Sequence, residues 1–488
     1  MLIPLSFAQY RLWFVTQLEG NNSVYNIPMP IRVIGALNAG ALHQALRDVI
    51  TRHESLRTLF PHRDGTPEQE ILTPETVEDV LTTVDASAWT EDEVRAALQE
   101  AAGHRFDLAC EVPLRAVLFT VGVDEHVLVL VMHHIAGDGW SMGPLARDLS
   151  TAYTARVEGR EPDWPALPVQ YADYTLWQRE LLGEETDPES LAAQQLAYWR
   201  QALAGLPEEL TLPTDRTRPA TPSHQGATLT LAVPARIHQQ LADLAHAHDA
   251  TMFMVLQAAV ATLLSKLGAG HDIPIGTPIA GRTDDALDDL VGFFVNTLVL
   301  RTSLDGDPTF TQLLNRVREQ SLAAYAHQDI PFERLVEDLA PTRSMARHPL
   351  FQVMLTLQNN QQATLNLPQL TADVHQAAGL PAKFDLDLQF SERHTLDHTP
   401  NGIHATLTYA TDLYDHTTID RIGTYLTRLL DQLTTNPHQT LSHLDLLDAE
   451  ERRLVVTEWN DTGVDVPERT LPELFEAQAE RTPQATAV

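Results

Sequence analysis

The sequence contains a single cysteine, Cys110, in 488 residues. It therefore holds no internal disulfide and no cysteine-built metal site. Lysine is almost as scarce: Lys266 and Lys383 are the only two, so nearly all of the 33 basic residues are arginines. Against 66 acidic residues they leave a formal charge of −33. That balance excludes the basic stripe with which nucleic-acid binders neutralise phosphates, and a polybasic membrane anchor. Long apolar runs are missing as well. The run around 127–132 falls far short of a bilayer span. The N-terminal MLIPLSFAQYRLWF has neither the basic region nor the small-residue cleavage site of a signal peptide. What is present is the composition of a globular chain, 43% hydrophobic and 20% charged, sufficient to bury a large core. At roughly 150 residues per domain, two or three folded units are expected. The expectation is a soluble, acidic, cytoplasmic protein that binds neither nucleic acid nor membrane.

Hydrophobic periodicity alternates between helix and strand along the whole chain. In the first half it predicts helices over 6–19, 39–51 and 141–157, and a strand over 31–34. Two further strands fall within 113–132, the second apolar at nearly every position, as in a strand buried on both faces. Aromatic and apolar residues recur at helical intervals over 171–203. Pro213, Pro219 and Pro222 then punctuate a polar stretch that separates two halves. The second half predicts strands at 227–233, 273–275, 351–357, 384–390 and 404–409. Helices are predicted at 234–247, 252–267, 309–327 and 418–433. Beyond 436 the sequence reads as a linker with a short amphipathic segment at 471–478. The class is α/β, in two halves of similar make-up.

Chemistry concentrates in VMHHIAGDGWSMGPL (131–145). His133 and His134 close the buried strand, and because successive strand side chains point to opposite faces only one of them faces a given cleft. An imidazole emerging there from an apolar core is placed to hold or take a proton near neutrality; the bland alternative is that both histidines only cap the strand. Gly139-Trp140-Ser141-Met142-Gly143 also matches the G-x-S-x-G elbow of serine hydrolases, although HHIAGD intervenes between strand and serine, and Ser141 equally suits a helix N-cap. Adjacent histidines rarely chelate one ion, so His133, His134 and Asp138 make a weak metal site. In the second half, Arg282 lies in a glycine-punctuated stretch and is a candidate partner for Asp138.

Several motifs together resemble the condensation domains of nonribosomal peptide synthetases, in the order that family has them. They are SFAQYRLWFVTQLEG (6–20), RHESLRTLF (52–60), MHHIAGDGWS (132–141), YADYTLWQ (171–178), IGTPIAGR with GFFVNTLVLR (275–301), HQDIPFERLVEDL (327–339) and HPLFQVM (348–354). The resemblance covers about 2–447. It implies two chloramphenicol-acetyltransferase-like lobes in a V around a central tunnel, here 1–180 and 181–450. Residues 451–488 resemble a linker and the beginning of an adenylation domain.

The implied reaction joins a peptidyl thioester on an upstream donor carrier protein to an aminoacyl thioester on a downstream acceptor carrier. Phosphopantetheine arms of the carriers hold both substrates, so no permanently bound cofactor and no metal are expected, and the isolated domain is expected to be monomeric. By position His134 is the tunnel-facing histidine, acting as base or as a holder of the amine. Gly139 offers a backbone N–H to the thioester oxygen. His133, Asp138, Arg282, Arg52 and Arg57 are expected to support the site, with Asp138 paired to Arg282. Trp140, Ser141 and Asn296 are expected along the tunnel. The intact HHxxxDG and the DGWS order look most like the class joining an L-configured donor to an L-acceptor.

Overall fold

The computed structural model describes residues 3–20, 22–63, 65–340, 344, 346–358, 364–374, 381–465 and 468–486. It divides into a large unit, 1–444, and a small one, 445–488.

Two main sheets organise the large unit. The first runs in the order Thr371–Val374, Asn26–Ile34, Glu125–His133, Leu114–Gly122, Leu81–Asp85. Its central strand Glu125–His133 is flanked on both edges, and Leu128 to Met132 are all buried. This is why its sequence is a continuous apolar run rather than an alternation. Helices Ala39–Arg52 and Met142–Val157 pack against each other over this core. The second sheet runs Asn296–Ser303, Asp272–Ile279, Val353–Gln358, Leu386–His394, Pro400–Ala410, Gly226–Val233. Helices Ala235–Ala247 and His416–Thr435 cover its far strands, while Phe310–Tyr325 packs on Asn296–Ser303. One strand crosses between halves: Thr371–Val374 pairs antiparallel with Ile31 to Ile34, so a segment late in sequence edges the first sheet.

Most predicted elements are present, with informative exceptions. The strand expected at 31–34 begins at Asn26. Pro28 and Pro30 disguise it, since proline is unusual inside sheets; they are accommodated because the second neighbour, Thr371–Val374, covers only 31–34. The helical stretch at 171–203 is two helices, Tyr171–Leu182 and Leu191–Ala202, parted at Gly183 with its φ of 68°. The stretch Met252–Ala269 has the length and hydropathy of a membrane span, which the focus on 127–132 overlooked. It is 67% buried within the fold, as a core helix would be.

Candidate active site

The turn that follows the central strand is built by its own backbone. His134 donates its N–H to the Tyr25 carbonyl at 2.8 Å and starts a single 3-10 turn, His134–Ala136. His133 points the other way: it is 3% exposed, and its Nδ1 accepts from the Ile135 N–H at 3.2 Å. Accepting that bond fixes the neutral tautomer, and burial, with Lys383 adding to it, pushes the ring down to about 3. His133 thus braces the turn.

His134 is half-buried, its ring 5.2 Å from that of Phe293. Its Nδ1 is buried without a hydrogen-bond partner, and its Nε2, also unpartnered among the described residues, is the ring nitrogen left accessible. Burial, then the Lys383 cation and His133, holds this imidazole well below its ordinary range. A neutral imidazole with an accessible nitrogen can accept a hydrogen bond or a proton. Gly139 is exposed, and its N–H makes no hydrogen bond within the protein among the described residues. It is available to an oxyanion.

Asp138 and Ser141 do something else. Both are fully buried. Asp138 Oδ1 accepts from the Ser141 N–H at 3.0 Å and lies 2.8 Å from Ser141 Oγ; Oδ2 accepts from the N–H groups of Phe294 and Val295 at 2.9 and 3.1 Å. Ser141 Oγ also accepts from Gly292 N–H at 3.1 Å and from Arg282 Nη2 at 3.2 Å, and lies 2.8 Å from the Gly292 carbonyl. The Arg282 guanidinium stands 3.7 Å from Asp138, is donated chiefly to the Leu287 and Leu290 carbonyls, and sits over the Phe294 ring at 4.2 Å. The Asp138–Arg282 contact is therefore an ion pair with Ser141 wedged beside it rather than a bidentate bond. Asp138 is the clamp that fastens the 292–295 segment to the histidine turn.

The expectations for Ser141 are corrected here. Ser141 does not line open space: no part of it is exposed, and its hydroxyl is already engaged on every side. It stands at the N-cap position of Met142–Val157, but its φ and ψ are helical and its side chain makes no capping bond. A buried, fully committed hydroxyl is no nucleophile, and the serine-hydrolase reading fails with it. Asn296, by contrast, is half-buried and lines a small cavity with Tyr174, Phe294 and Gln328, its amide held in place. Its Nδ2 donates to Gln328 and Ile330 carbonyls, both at 2.9 Å, and its Oδ1 accepts from Phe332 N–H at 3.0 Å. Trp140 is half-buried beside Gly139.

Residues far apart in sequence hold this arrangement. Gln9 Nε2 reaches the Ile135 carbonyl at 3.3 Å, and the Ser6 hydroxyl meets Tyr171 Oη at 2.9 Å, which in turn donates to the Phe293 carbonyl at 2.6 Å. Arg52 and His53 both bond Asp148 at 2.8 Å, and His53 Nδ1 accepts from Val291 N–H at 3.3 Å. Arg57 donates to the Leu72 carbonyl and pairs with Glu54. Two glycines permit the closeness. A Cβ on Gly281 (φ 66°) would lie 1.9 Å from the Phe294 carbonyl oxygen, and one on Gly292 2.3 Å from the Tyr171 ring. Outside the turn, His238, Glu392 and His394 bring ligand atoms within 4.8 Å of one another. No sequence spacing announces that group.

A family model described as "Condensation domain" matches residues 2–456. The chain belongs to the condensation-domain family of nonribosomal peptide synthetases. It is 52% identical over its whole length to a dimodular nonribosomal peptide synthase of Bacillus subtilis (strain 168) and 49% identical to an isonitrile lipopeptide synthase of Mycobacterium tuberculosis, spanning 20% of each. Among solved structures it resembles the complex of the X-domain and OxyB from teicoplanin biosynthesis, with 37% identity, a TM-score of 0.84, and coverage of 92% of this chain and 96% of that one. The condensation domain's two sheets belong to its two chloramphenicol-acetyltransferase-like lobes. Condensation domains of such synthetases form amide bonds.

Proposed function

We propose that this domain joins an L-terminal peptidyl or acyl thioester on an upstream carrier to an L-aminoacyl thioester on a downstream carrier, both presented on phosphopantetheine arms, in the cytoplasm. On this reading 1–180 and 181–450 are the two working lobes, and 451–488 leads into an adenylation domain. The acceptor amine attacks the donor carbonyl, the new C–N bond forms, the C–S bond breaks, and the nitrogen's surplus proton ends on the departing thiolate. A free α-amine has an ordinary pKa of about 7.7–8.0, so much of it is already neutral. Neutral His134 therefore needs mainly to accept a hydrogen bond from the amine, hold it in line and ease the proton's departure. The Gly139 N–H faces the developing oxyanion. The observation that carries this reading is the accessible nitrogen of His134 beside the uncommitted Gly139 N–H, with the Asp138 carboxylate and the Ser141 hydroxyl already in use.

The test uses two loaded carriers, the donor ending in an L- or a D-residue. Release and chromatography of the acceptor-bound product should show the L-donor preferred at least tenfold. His134→Ala should lower turnover with it by about 10²–10⁴-fold. Preference for the D-donor would overturn the stereochemical class. A second reading, a docking module without chemistry, draws on the likeness to an X-domain solved with a partner protein. It predicts partner binding that is indifferent to His134→Ala and no condensation with any pair.

A further inference from the structure

Beside the histidine turn lies a cavity of about 160 Å³, lined by Asn26, Lys383, Asp387, Gln389 and Thr408 among others. It adjoins the reacting centre: Asn26 is paired across the sheet with His133 and follows Tyr25, whose carbonyl anchors His134. The polar groups in it are only half used. Asn26 Nδ2 donates to the carbonyls of Ala102 and His104 at 2.9 and 2.8 Å, which fixes the orientation of the amide and leaves Oδ1 buried without a donor. One oxygen of Asp387 accepts from Gln389 Nε2 at 3.1 Å, and Oδ1 is likewise buried and unpartnered. The Lys383 ammonium lies 5.1 Å from the Tyr25 ring centre and makes no hydrogen bond among the described residues. Its charge and that of Asp387 attract each other.

Two buried acceptors without donors and one cation without an acceptor define the missing ligand. A carboxylate would satisfy Lys383 and face Asp387; an ammonium would satisfy Asp387 and face Lys383. A neutral amide satisfies both sides, its carbonyl toward Lys383 and its N–H toward Asp387, with the second N–H of a side-chain carboxamide toward Asn26. We propose that this cavity binds the amide group of a substrate, either a side-chain carboxamide or the backbone amide next to the reacting residue. Burial pushes Lys383 down to about 8 and Asp387 up to about 6, so at pH 7 both remain largely ionised and the cavity carries no net charge. The inference rests on the function proposed above, because it takes the occupant to be a pantetheine-borne aminoacyl or peptidyl group.

The test is calorimetric binding of unreactive pantetheine thioethers to the full chain, so it does not depend on turnover. The thioethers carry glutaminyl, leucyl, N-acetylleucyl, glutamyl or ornithyl groups. Tighter binding of glutaminyl than of leucyl, glutamyl and ornithyl by about tenfold or more identifies a side-chain carboxamide; the same gain for N-acetylleucyl over leucyl identifies the backbone amide. Asp387→Asn should raise glutamyl affinity and Lys383→Met should raise ornithyl affinity, each relative to leucyl. Leucyl binding as tightly as both amide-bearing thioethers overturns the proposal, as does an order that neither substitution changes. Loaded carriers that fail to condense while this order holds would defeat the functional reading and leave the cavity's assignment standing.

Discussion

At the scale of single residues, the histidine pair divides the work by burial. His133 faces the core and accepts a backbone N–H; His134 keeps one nitrogen open. The first role has a thermodynamic signature. With the folded His133 held at about 3 against 6.5 in the unfolded chain, the unfolded state binds the extra proton as pH falls. Stability from this residue is complete above pH 6.5 and drains away toward pH 3. Unfolding free energies from urea titrations between pH 6 and 4 should give a slope about 1.4 kcal/mol per pH unit shallower for His133→Gln than for the unaltered chain. Asp387, raised by burial, contributes with the opposite sign between 3.8 and about 6, so the comparison must be made against the unaltered chain. Equal slopes would mean that His133 ionises freely in the fold. His134 and Asp138 were legible in the sequence because they sit within one contiguous motif. Asn26, Lys383 and Asp387 were not, because they meet only when the strand at 26–34 and the segment entering 386–394 come together.

At the scale of elements, the working unit is a turn and a loop locked by one carboxylate. Asp138 takes two N–H groups on Oδ2 and Ser141 on Oδ1. Asp138→Asn keeps the size but turns one of those oxygens into a donor facing donors. It should cost about 2–5 kcal/mol in chemical denaturation and lower activity with it. Lost activity at unchanged stability would assign Asp138 a direct chemical part instead. Helices and central strands were legible here from periodicity. The short strands Thr66–Ile71 and Thr371–Val374 were not, since their residues are polar or edge-placed and their pairing is set by partners distant in sequence. The G-x-S-x-G match misled for a related reason: a five-residue pattern records no burial, and burial is what disarms Ser141.

At the scale of the molecule, 1–444 and 445–488 are separate compact units, and the second exposes Trp459 and Phe475. Limited proteolysis should remove the second unit first and leave a stable core ending near Leu444; cleavage within the core while 445–488 stays attached would contradict the division. The alternation of helices and strands was legible from periodicity, but the late strand that edges the first sheet was not, because its pairing is set by residues far off in sequence.

The central claim is that this fold places His134 to make an amide between two carrier-borne groups. Intact-protein mass spectrometry of both loaded carriers, with the unaltered chain, with His134→Ala or with neither, tests it most directly. The account predicts that the acceptor carrier gains the donor's mass only with the unaltered chain, while His134→Ala keeps its melting temperature. Equal growth of the acceptor with His134→Ala, or loss of the donor as free acid without acceptor growth, would contradict it.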